Sequence, residues 1–463
     1  MPPDFAPKAK YAIGSLLLPL GLRPHWVEGL NAESARLYYG PERDARLATA
    51  VHLTYDPQSS IYFSRKATYD AEAVRWDSWD KELWPVLFGD ERGADYVASS
   101  FYWLSGWQEY TSSERDEHGR FPFAASLQAA LGTAVRPSVD AYREMLADRL
   151  QAAGISIYRR TWGDRTWTFC PTHDIDYLRK WRPGLIYREL VENTLLNHRG
   201  VGGMARMARL GGFIRDFIRP GDVYRKAFER LQSETMAAGG TATFFIKTGA
   251  RDPHDVPYST RSRYLLRRLN ALQTAGFDVG LHPSYLAADR GEYLREEAAI
   301  LRSLLREVPV SVRQHYLRFE QGTTSHFQKE SGFKIDSTLG FAEHEGFRCA
   351  TCHPFQLFDI EENAPTELWE MPLSVMESIL FNRRKYTAEE ARDATNNLAK
   401  TCRRFGGAMV GLWHNTAWDE LDCPGWGQHF MDTLHGAVRA GGNVLSLRKA
   451  LTRYLATNVE KKG

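Results

Sequence analysis

Two carboxylates follow a strongly apolar segment in the middle of the chain, and this feature most constrains the fold. Residues 168–176 read TFCPTHDID. If the segment is a strand, Asp174 and Asp176 share one face while His173 points to the other. Two carboxylates on one face repel each other unless a cation or a shared proton lies between them. The segment therefore predicts either a metal-binding carboxylate pair or a solvated turn, where aspartates are also common.

Further segments place polar residues directly after apolar ones, and helix-like stretches separate them. This alternation predicts repeated βα units and a parallel sheet. Residues at the carboxyl ends of parallel strands meet at one mouth of a barrel, so the polar residues are expected to form one site. In chain order the segments read ATFFI (242–246), GFDVGLHPSY (276–285), VSVRQHYLRF (310–319), FKIDSTLGF (333–341) and MVGLWHN (409–415).

Taken together, these segments resemble the strand-end motifs of the polysaccharide deacetylase superfamily, the family 4 carbohydrate esterases and their relatives. The resemblance covers roughly residues 165–450. It implies an α/β fold, with a distorted (β/α)7-type barrel over residues 161–455. A smaller α+β domain is expected over residues 1–160, and it resembles an uncharacterised domain that precedes such deacetylase domains in some bacterial proteins.

The resemblance also implies roles for individual residues. Asp174 matches the catalytic base of the family, while Asp176 and His282 match metal ligands. His414 matches the general acid, and Arg313 matches the arginine that orients the base and keeps it ionised. The expected cofactor is one divalent metal, zinc above all, which would activate water and polarise an amide carbonyl.

The chain departs from the family at the second metal histidine. The usual motif has two histidines four residues apart, but Leu286 stands four residues after His282. A catalytic metal normally has three protein ligands. His315 is the expected replacement, because alternation along a strand would place it on the same face as Arg313. Tyr285 and Ser284 remain as weaker alternatives.

Three residues are expected at the substrate wall. They are Asp336, Arg348 and Tyr285. For Asp336 a turn cap, and for Arg348 a surface position, are equally good interpretations of the sequence.

Composition narrows the class of protein. The chain has 463 residues with a net charge of +2, so it carries no overall nucleic-acid signature. Five cysteines imply no disulfide framework, and the Cys349–Cys352 pair lacks the second ligand pair of a zinc knuckle. No run reaches the ~18–20 apolar residues of a transmembrane helix. The apolar run near the amino terminus is expected to be a core strand rather than a signal peptide, and the protein is expected to be cytoplasmic.

Local patterns in the front region predict strands over 45–56 and 60–65 and a helix over 96–110 capped by Asp95. A further helix over 138–153 should end at Gly154. Five tryptophans could form either a sugar-stacking surface or an aromatic core. These are Trp76, Trp79, Trp84, Trp103 and Trp107.

An insertion over residues 177–235 is absent from the family pattern. Residues 177–230 hold twelve Lys/Arg against five Asp/Glu, a local charge of +7. Apolar residues recur at helical spacing from Met207 to Ile218 among arginines. The pattern predicts either a basic lid that touches an anionic membrane surface or an ordinary helical hairpin packed on the barrel. The arginines flanking the apolar residues are Arg206, Arg209, Arg215 and Arg219.

The predicted function is that of a metal-dependent hydrolase that removes N-acetyl groups from a glycan or a lipid-linked glycan precursor. Opening of a cyclic amide would use the same chemistry. The alternative is a non-catalytic glycan- or glycolipid-binding protein on a degenerate deacetylase scaffold, which the missing second histidine favours. A nucleic-acid contact through the basic insertion is disfavoured, because the insertion lacks interleaved aromatic residues.

Overall fold

The computed structural model describes residues 1–27, 35–47, 50–187, 203–218 and 220–456. In the front region, short strands pair two by two and surround a helical, aromatic core. Its helices are α1 (Ala6–Leu17), α2 (Pro57–Ser64), α3 (Tyr96–Leu104), α4 (Trp107–Thr111), α5 (Leu127–Leu131) and α6 (Ser138–Ala152). Its strands are β1 (Leu37–Gly40), β2 (Val51–Thr54), β3 (Arg75–Trp79), β4 (Glu82–Val86), β5 (Gly89–Asp90) and β6 (Gly93–Ala94). The β1–β2 pair is parallel, and the β3–β4 and β5–β6 pairs are antiparallel.

The remainder of the chain alternates strands and helices. Its strands are β7 (Thr168–Ile175), β8 (Thr243–Ile246), β9 (Asp278–Leu281), β10 (Ser311–Val312), β11 (Ile335–Asp336), β12 (Phe355–Asp359), β13 (Ala364–Glu370), β14 (Leu373–Met376), β15 (Ala408–Leu412) and β16 (Asn443–Val444). Its helices are α7 (Pro183–Tyr187), α8 (Gly203–Ile218), α9 (Val223–Ala237), α10 (Arg263–Thr274), α11 (Gly291–Leu304), α12 (Thr323–Glu330), α13 (Ala388–Phe405), α14 (Trp426–Arg439) and α15 (Leu447–Ala456).

These strands form one ten-stranded sheet, and the expected α/β fold is confirmed. The order is β12-β13-β11-β10-β9-β8-β7-β15-β14, with β16 paired to β7. All neighbours are parallel except β12 and β13. Within the described ranges the end strands β12 and β14 do not pair, so the sheet is a curled half-barrel. All eight residues of β7 are buried, as expected for the central strand of a parallel sheet covered by helices.

The front region packs directly on the barrel, so the two share a core. The rings of Phe101 in α3 and Phe358 in β12 meet edge to face with centroids 5.0 Å apart. A buried network joins α6 to the segment before β12: Arg143 donates to Asp140 and contacts His353 Nδ1, both at 2.9 Å. The domain boundary near residue 160 stays a prediction.

Several local predictions for the front region need correction. The segment from Ala6 is helix α1 rather than a strand, and residues 60–65 lie largely in helix α2. Helix α2 starts there because the Asp56 side chain accepts a hydrogen bond from the Gln58 N–H, and proline follows in the first turn. The helix that Asp95 caps is broken at Gly106, whose φ is 65°. Of the described residues in the predicted strand over 45–56, Val51–Thr54 form β2, whereas Ala45–Leu47 form a 3-10 turn.

Other front-region predictions are confirmed. The Asp95 carboxylate accepts from the Ala98 N–H at 2.8 Å, and α6 is followed by Gly154 with φ of 76°. Trp84, Trp103 and Trp107 are buried, which supports the aromatic-core interpretation for these three. Trp76 is exposed and Trp79 is half-buried.

The described part of the insertion is helical and lies beside the loop that follows β15. Phe213 of α8 is buried, and its ring packs against Trp181 with centroids 5.4 Å apart. The opposite, apolar face is exposed: Met207 is 66% and Ile218 73% accessible. Arg219 and residues 188–202 of the insertion lie outside the described residues. No helix among the described residues is long and apolar enough to cross a membrane.

Candidate active site

The catalytic candidates meet at the carboxyl ends of neighbouring strands. Asp174 belongs to β7, and Asp176 follows that strand directly. His282 follows β9, and His414 lies two residues after β15. The sheet order β9-β8-β7-β15 therefore brings residues from distant parts of the sequence together. They line one cavity of about 460 Å³.

Three side chains converge as a possible metal centre. Asp176, His282 and His315 each offer one ligand atom, and these atoms lie within 4.8 Å of one another. His282 Nε2 is 3.5 Å from Asp176 Oδ1, and His315 Nε2 is 3.7 Å from the same oxygen. One carboxylate and two imidazoles are a ligand set that suits zinc and several other divalent cations.

Hydrogen bonds orient both imidazoles toward the shared carboxylate. His282 Nδ1 donates to the Arg313 carbonyl at 2.8 Å, and His315 Nδ1 donates to Asp255 Oδ1 at 2.9 Å. In the neutral form of each ring, Nε2 is then the unprotonated nitrogen, which is the one that a metal binds. His282 Nε2 and Asp176 Oδ1 are buried without a hydrogen-bond partner among the residues that the structure describes. Buried polar atoms rarely lack partners, so the residues present fit a bound cation.

The electrostatics of the three groups also suit a cation. Burial opposes ionisation of Asp176, but the nearby His315, His282 and Lys247 hold the pKa of its carboxyl well below its usual range. Burial lowers the pKa of His282 to about 4, which keeps this imidazole neutral. Asp176 is thus ionised and His282 unprotonated at neutral pH, which are the states that bind a metal.

Asp174 lies on the other side of His282 and is held by Arg313. Arg313 donates to Asp174 Oδ1 at 3.3 Å and to Thr172 Oγ1 at 2.6 Å. Its remaining N–H groups are held by the carbonyl and hydroxyl of Ser337. Because Arg313 is fully buried, it has one orientation, and Asp174 Oδ2 is left 3.7 Å from His282 Nε2.

His414 stands across the cavity and is paired with a carboxylate. His414 Nδ1 is 2.7 Å from Glu377 Oε1, and the same oxygen accepts a hydrogen bond from the backbone N–H of His414. Burial would lower the pKa of His414, but the charge and hydrogen bond of Glu377 raise it to about 10. His414 Nε2 is 3.8 Å from Asp176 Oδ2, so its second N–H faces the cavity.

Two of the expected substrate-wall residues lie elsewhere, which corrects the sequence-based expectation. Asp336 is fully buried beside Glu370, where burial raises the pKa of both carboxyls, so a shared proton is favoured. Arg348 is also buried and forms a bidentate ion pair with Glu109 of the front region, at 2.7 and 2.6 Å. Neither Asp336 nor Arg348 lines the cavity.

The third, Tyr285, lies one layer behind the cavity wall. Its hydroxyl is 3.1 Å from His118 Nδ1, and its ring packs against His254 and Tyr316, which do line the cavity. A role for Tyr285 in substrate binding stays a prediction.

The segment that carries His315 is a turn rather than the expected strand. Strand β10 ends at Val312, and residues 315–317 form a single 3-10 turn. Tyr316 and Leu317 both have positive φ, 60° and 55°, which non-glycine residues seldom adopt. Arg120 of the front region donates to the Tyr316 carbonyl at 2.8 Å and so helps to hold this conformation.

The site contains residues that the sequence did not single out. Lys247 follows β8, and its ammonium lies 3.8 Å from Asp176 Oδ1. Asp255 and Arg120 come from loops, where no periodicity marks a functional side chain. Glu377 follows β14 directly, as Lys247 follows β8, so a position directly after a buried strand was the available signal for these two residues.

The two parts of the chain match different known proteins. Residues 23–154 match the model of a family of unknown function, DUF7033, as expected for an uncharacterised front domain. A comparison with proteins of curated function gives no match.

Solved structures similar to the barrel include a protein from Mycobacterium smegmatis assigned to the polysaccharide deacetylases, at 15% identity and a TM-score of 0.40. That match covers 62% of this chain and 90% of the other. A chitin deacetylase from Colletotrichum lindemuthianum matches at 11% identity and a TM-score of 0.32, over 62% and 87% of the two chains. A family 4 carbohydrate esterase pseudoenzyme from Bacillus anthracis matches at 9% identity and 0.31, over 61% and 65%.

Proposed function

We propose that the chain is a metal-dependent amide hydrolase that removes N-acetyl groups from a glycan or glycan precursor. The observation that carries the proposal is the convergence of Asp176 Oδ1 with the Nε2 atoms of His282 and His315. Asp174 and His414 stand on either side of this group, as a base and an acid on opposite faces of a bound amide would. Opening of a cyclic amide would use the same residues.

Asp176, His282 and His315 would hold a divalent cation, with zinc the metal that this ligand set best suits. When bound, such a cation increases the acidity of water and polarises an amide carbonyl. Asp174 takes the proton of the attacking water, and the hydrogen bond from Arg313 keeps its carboxylate aimed at the cavity. His414, protonated through its pair with Glu377, gives a proton to the leaving amine.

The proposal is tested by measuring acetate release from N-acetylated oligosaccharides, with the free amine counted in parallel. Wild-type protein loaded with zinc should release one acetate for each amine formed. Asp174→Asn should bind the metal normally yet release no acetate above background. Acetate release by Asp174→Asn at the wild-type rate would contradict the assigned chemistry.

A second candidate function, non-catalytic glycan binding, is favoured by Lys247. Its ammonium lies 3.8 Å from Asp176 Oδ1 and supplies positive charge where the enzyme would hold a metal. The two candidate functions predict different metal contents for the wild-type protein and different effects of Lys247→Ala. If Lys247 replaces the metal, wild type should purify without divalent metal, and Lys247→Ala should destabilise the fold instead of raising metal affinity.

We also propose that the insertion brings the protein to an anionic membrane surface. The exposed apolar face of α8 carries Met204, Met207 and Ile218, with Arg206 and Arg215 on the same helix. Apolar residues flanked by arginines suit the interface of an anionic bilayer. Co-sedimentation with phosphatidylglycerol vesicles should be lost in Met204→Ser/Ile218→Ser and should weaken with salt. No co-sedimentation of wild type at low salt would eliminate the proposal.

The compartment proposed for the protein is the cytoplasm. All five cysteines are free, and four of them are buried. Free thiols of this kind are typical of a reducing compartment.

A further inference from the structure

A second pocket adjoins the catalytic cavity, and its lining is basic. It has a volume of about 360 Å³ and shares Tyr177 and Val256 with the cavity wall. Among the described residues that line it, three are arginines and none is a carboxylate. We call it the arginine pocket, after Arg179, Arg182 and Arg225.

The guanidinium groups of the arginine pocket have no anionic partner in the described part of the chain. By contrast, nearby Lys180 pairs with Asp419 at 2.6 Å. The Nε atoms of Arg182 and Arg225 are buried, and no described residue accepts a hydrogen bond from them. Arg182 stacks on the Tyr177 ring at 4.6 Å, which orients its guanidinium without neutralising its charge. Clustered arginines without carboxylates repel one another. A bound anion would offset this repulsion, so an anion is the expected ligand of the pocket.

The amino terminus of α10 contributes independently to the same pocket. Ser262 is the N-cap of this twelve-residue helix and lines the pocket. Its side chain makes no capping hydrogen bond, and the first turn contains no acidic residue. The N–H groups of that turn therefore keep their partial positive charge, which favours an anion.

The wall between the pocket and the cavity is formed by Tyr177, which follows β7, and by Val256 in the loop after β8. Lys247 lines the cavity, and its backbone N–H donates to the Tyr258 hydroxyl of the arginine pocket at 2.8 Å. A ligand that spans Tyr177 would thus contact both sites.

We propose that the arginine pocket binds a phosphate or pyrophosphate group of the substrate while an N-acetyl group lies in the catalytic cavity. This inference rests on the proposed function and adds the substrate class: a phosphorylated N-acetylated glycan. The phosphate belongs either to a soluble sugar phosphate or to a lipid-linked sugar, and both sources present the same oxygens to the guanidinium groups.

Calorimetric titration of the full-length protein with two probes tests the inference. Inorganic pyrophosphate represents the soluble source, and decyl phosphate below its micelle concentration represents the lipid source. At least one probe should bind wild type, with Kd about tenfold or more weaker in Arg182→Gln and in Arg225→Gln, as expected for loss of a charge-assisted hydrogen bond. A tighter Kd for decyl phosphate identifies a lipid phosphate, and a tighter Kd for pyrophosphate a soluble one.

Two controls separate this inference from others. Arg267→Gln removes an exposed arginine of α10 that does not line the pocket, and it should leave Kd unchanged. His282→Ala should also retain probe binding, which excludes binding at the metal centre. Thermal unfolding verifies that each variant is folded. Failure of both probes to bind wild type at low ionic strength, or an unchanged Kd in both pocket variants, would overturn the inference. Retained probe binding in a protein that releases no acetate would count against the proposed reaction alone.

Discussion

His414 and Glu377 form a close pair at the cavity wall, with His414 Nδ1 2.7 Å from Glu377 Oε1. The same carboxylate oxygen accepts the His414 backbone N–H at 2.9 Å. The imidazole is thereby held in one orientation, with Nε2 turned toward Asp176. A carboxylate behind a histidine favours the imidazolium form, which is what a general acid requires.

Glu377→Gln should therefore move the alkaline limb of the kcat/KM profile to lower pH. The pKa of His414 lies at about 10, raised by Glu377 against the effect of burial, so His414 is protonated below that pH. Without the carboxylate the pKa falls, and activity at pH 9 should drop at least about tenfold. A bound cation would lower the pKa in both proteins, so the direction of the change stays the same. Glu389→Gln, an exposed change at the start of α13, is the matched control, and an unshifted limb in Glu377→Gln would refute the assignment.

Asp174→Asn and His414→Ala should each reduce turnover by at least about 100-fold, the usual scale for general acid–base groups. Metal content should stay near wild type in both variants, because neither residue is a proposed ligand, and thermal unfolding verifies that each variant is folded. The measurement is acetate release at saturating substrate. Near-normal turnover in either variant would exclude the corresponding role.

Asp255→Asn should weaken metal binding without removing a ligand. Asp255 Oδ1 accepts from His315 Nδ1 at 2.9 Å and so orients the imidazole toward Asp176. Loss of such a supporting carboxylate typically reduces metal affinity by about 10–100-fold. Competition with a chelator measures the affinity, and Asp252→Asn in the same loop is the control. Equal affinities for Asp255→Asn and wild type would contradict the supporting role assigned to the Asp255 carboxylate.

Arg143→Met should destabilise the whole chain, because Arg143 joins the front region to the barrel. It donates to Asp140 at 2.9 Å and to the Phe405 carbonyl at 3.2 Å, and its side chain is 3% exposed. Removal of one partner from a buried ion pair costs about 3–5 kcal/mol. Urea unfolding measures this loss, with exposed Arg403→Met as the control. A change below about 1 kcal/mol would contradict the account of this contact.

The stabilisation that the Arg143–Asp140 ion pair provides should fall at acidic pH. Burial raises the pKa of Asp140, but the charges of Arg143 and His353 lower it by more. The pKa of this carboxyl therefore lies well below its usual range. The stabilisation is therefore complete above the ordinary aspartate pKa and is lost as pH falls toward the folded-state value. Arg143→Met should flatten this part of the stability–pH curve.

Strand-end residues were predictable from the sequence because they follow apolar runs. Four of the predicted site residues lie at the end of a buried strand or just after it: Asp174, Asp176, His282 and His414. Parallel pairing of the strands brings such positions together. The misassigned residues depend on partners that no local pattern reveals. Arg348 meets Glu109 only through the packing of two distant regions.

Backbone conformation accounts for the other differences. Alternation over 310–319 suggested a strand, but left-handed Tyr316 and Leu317 turn the chain, with Arg120 holding the turn from the front region. His315 still reaches the site, although through a turn and not through a strand face. Tertiary contacts of this kind override local propensity, so sequence pattern alone could not predict them.

The most direct test of the account is the metal content of the purified full-length protein and of two ligand variants. Wild type, loaded with zinc and passed through a desalting column, should retain about one ion per chain, as expected for a three-ligand site. His282→Ala and His315→Ala should lose it, while exposed His326→Ala on α12 should retain it. Failure of wild type to retain metal, or full occupancy in His282→Ala, would contradict the proposed centre of Asp176, His282 and His315.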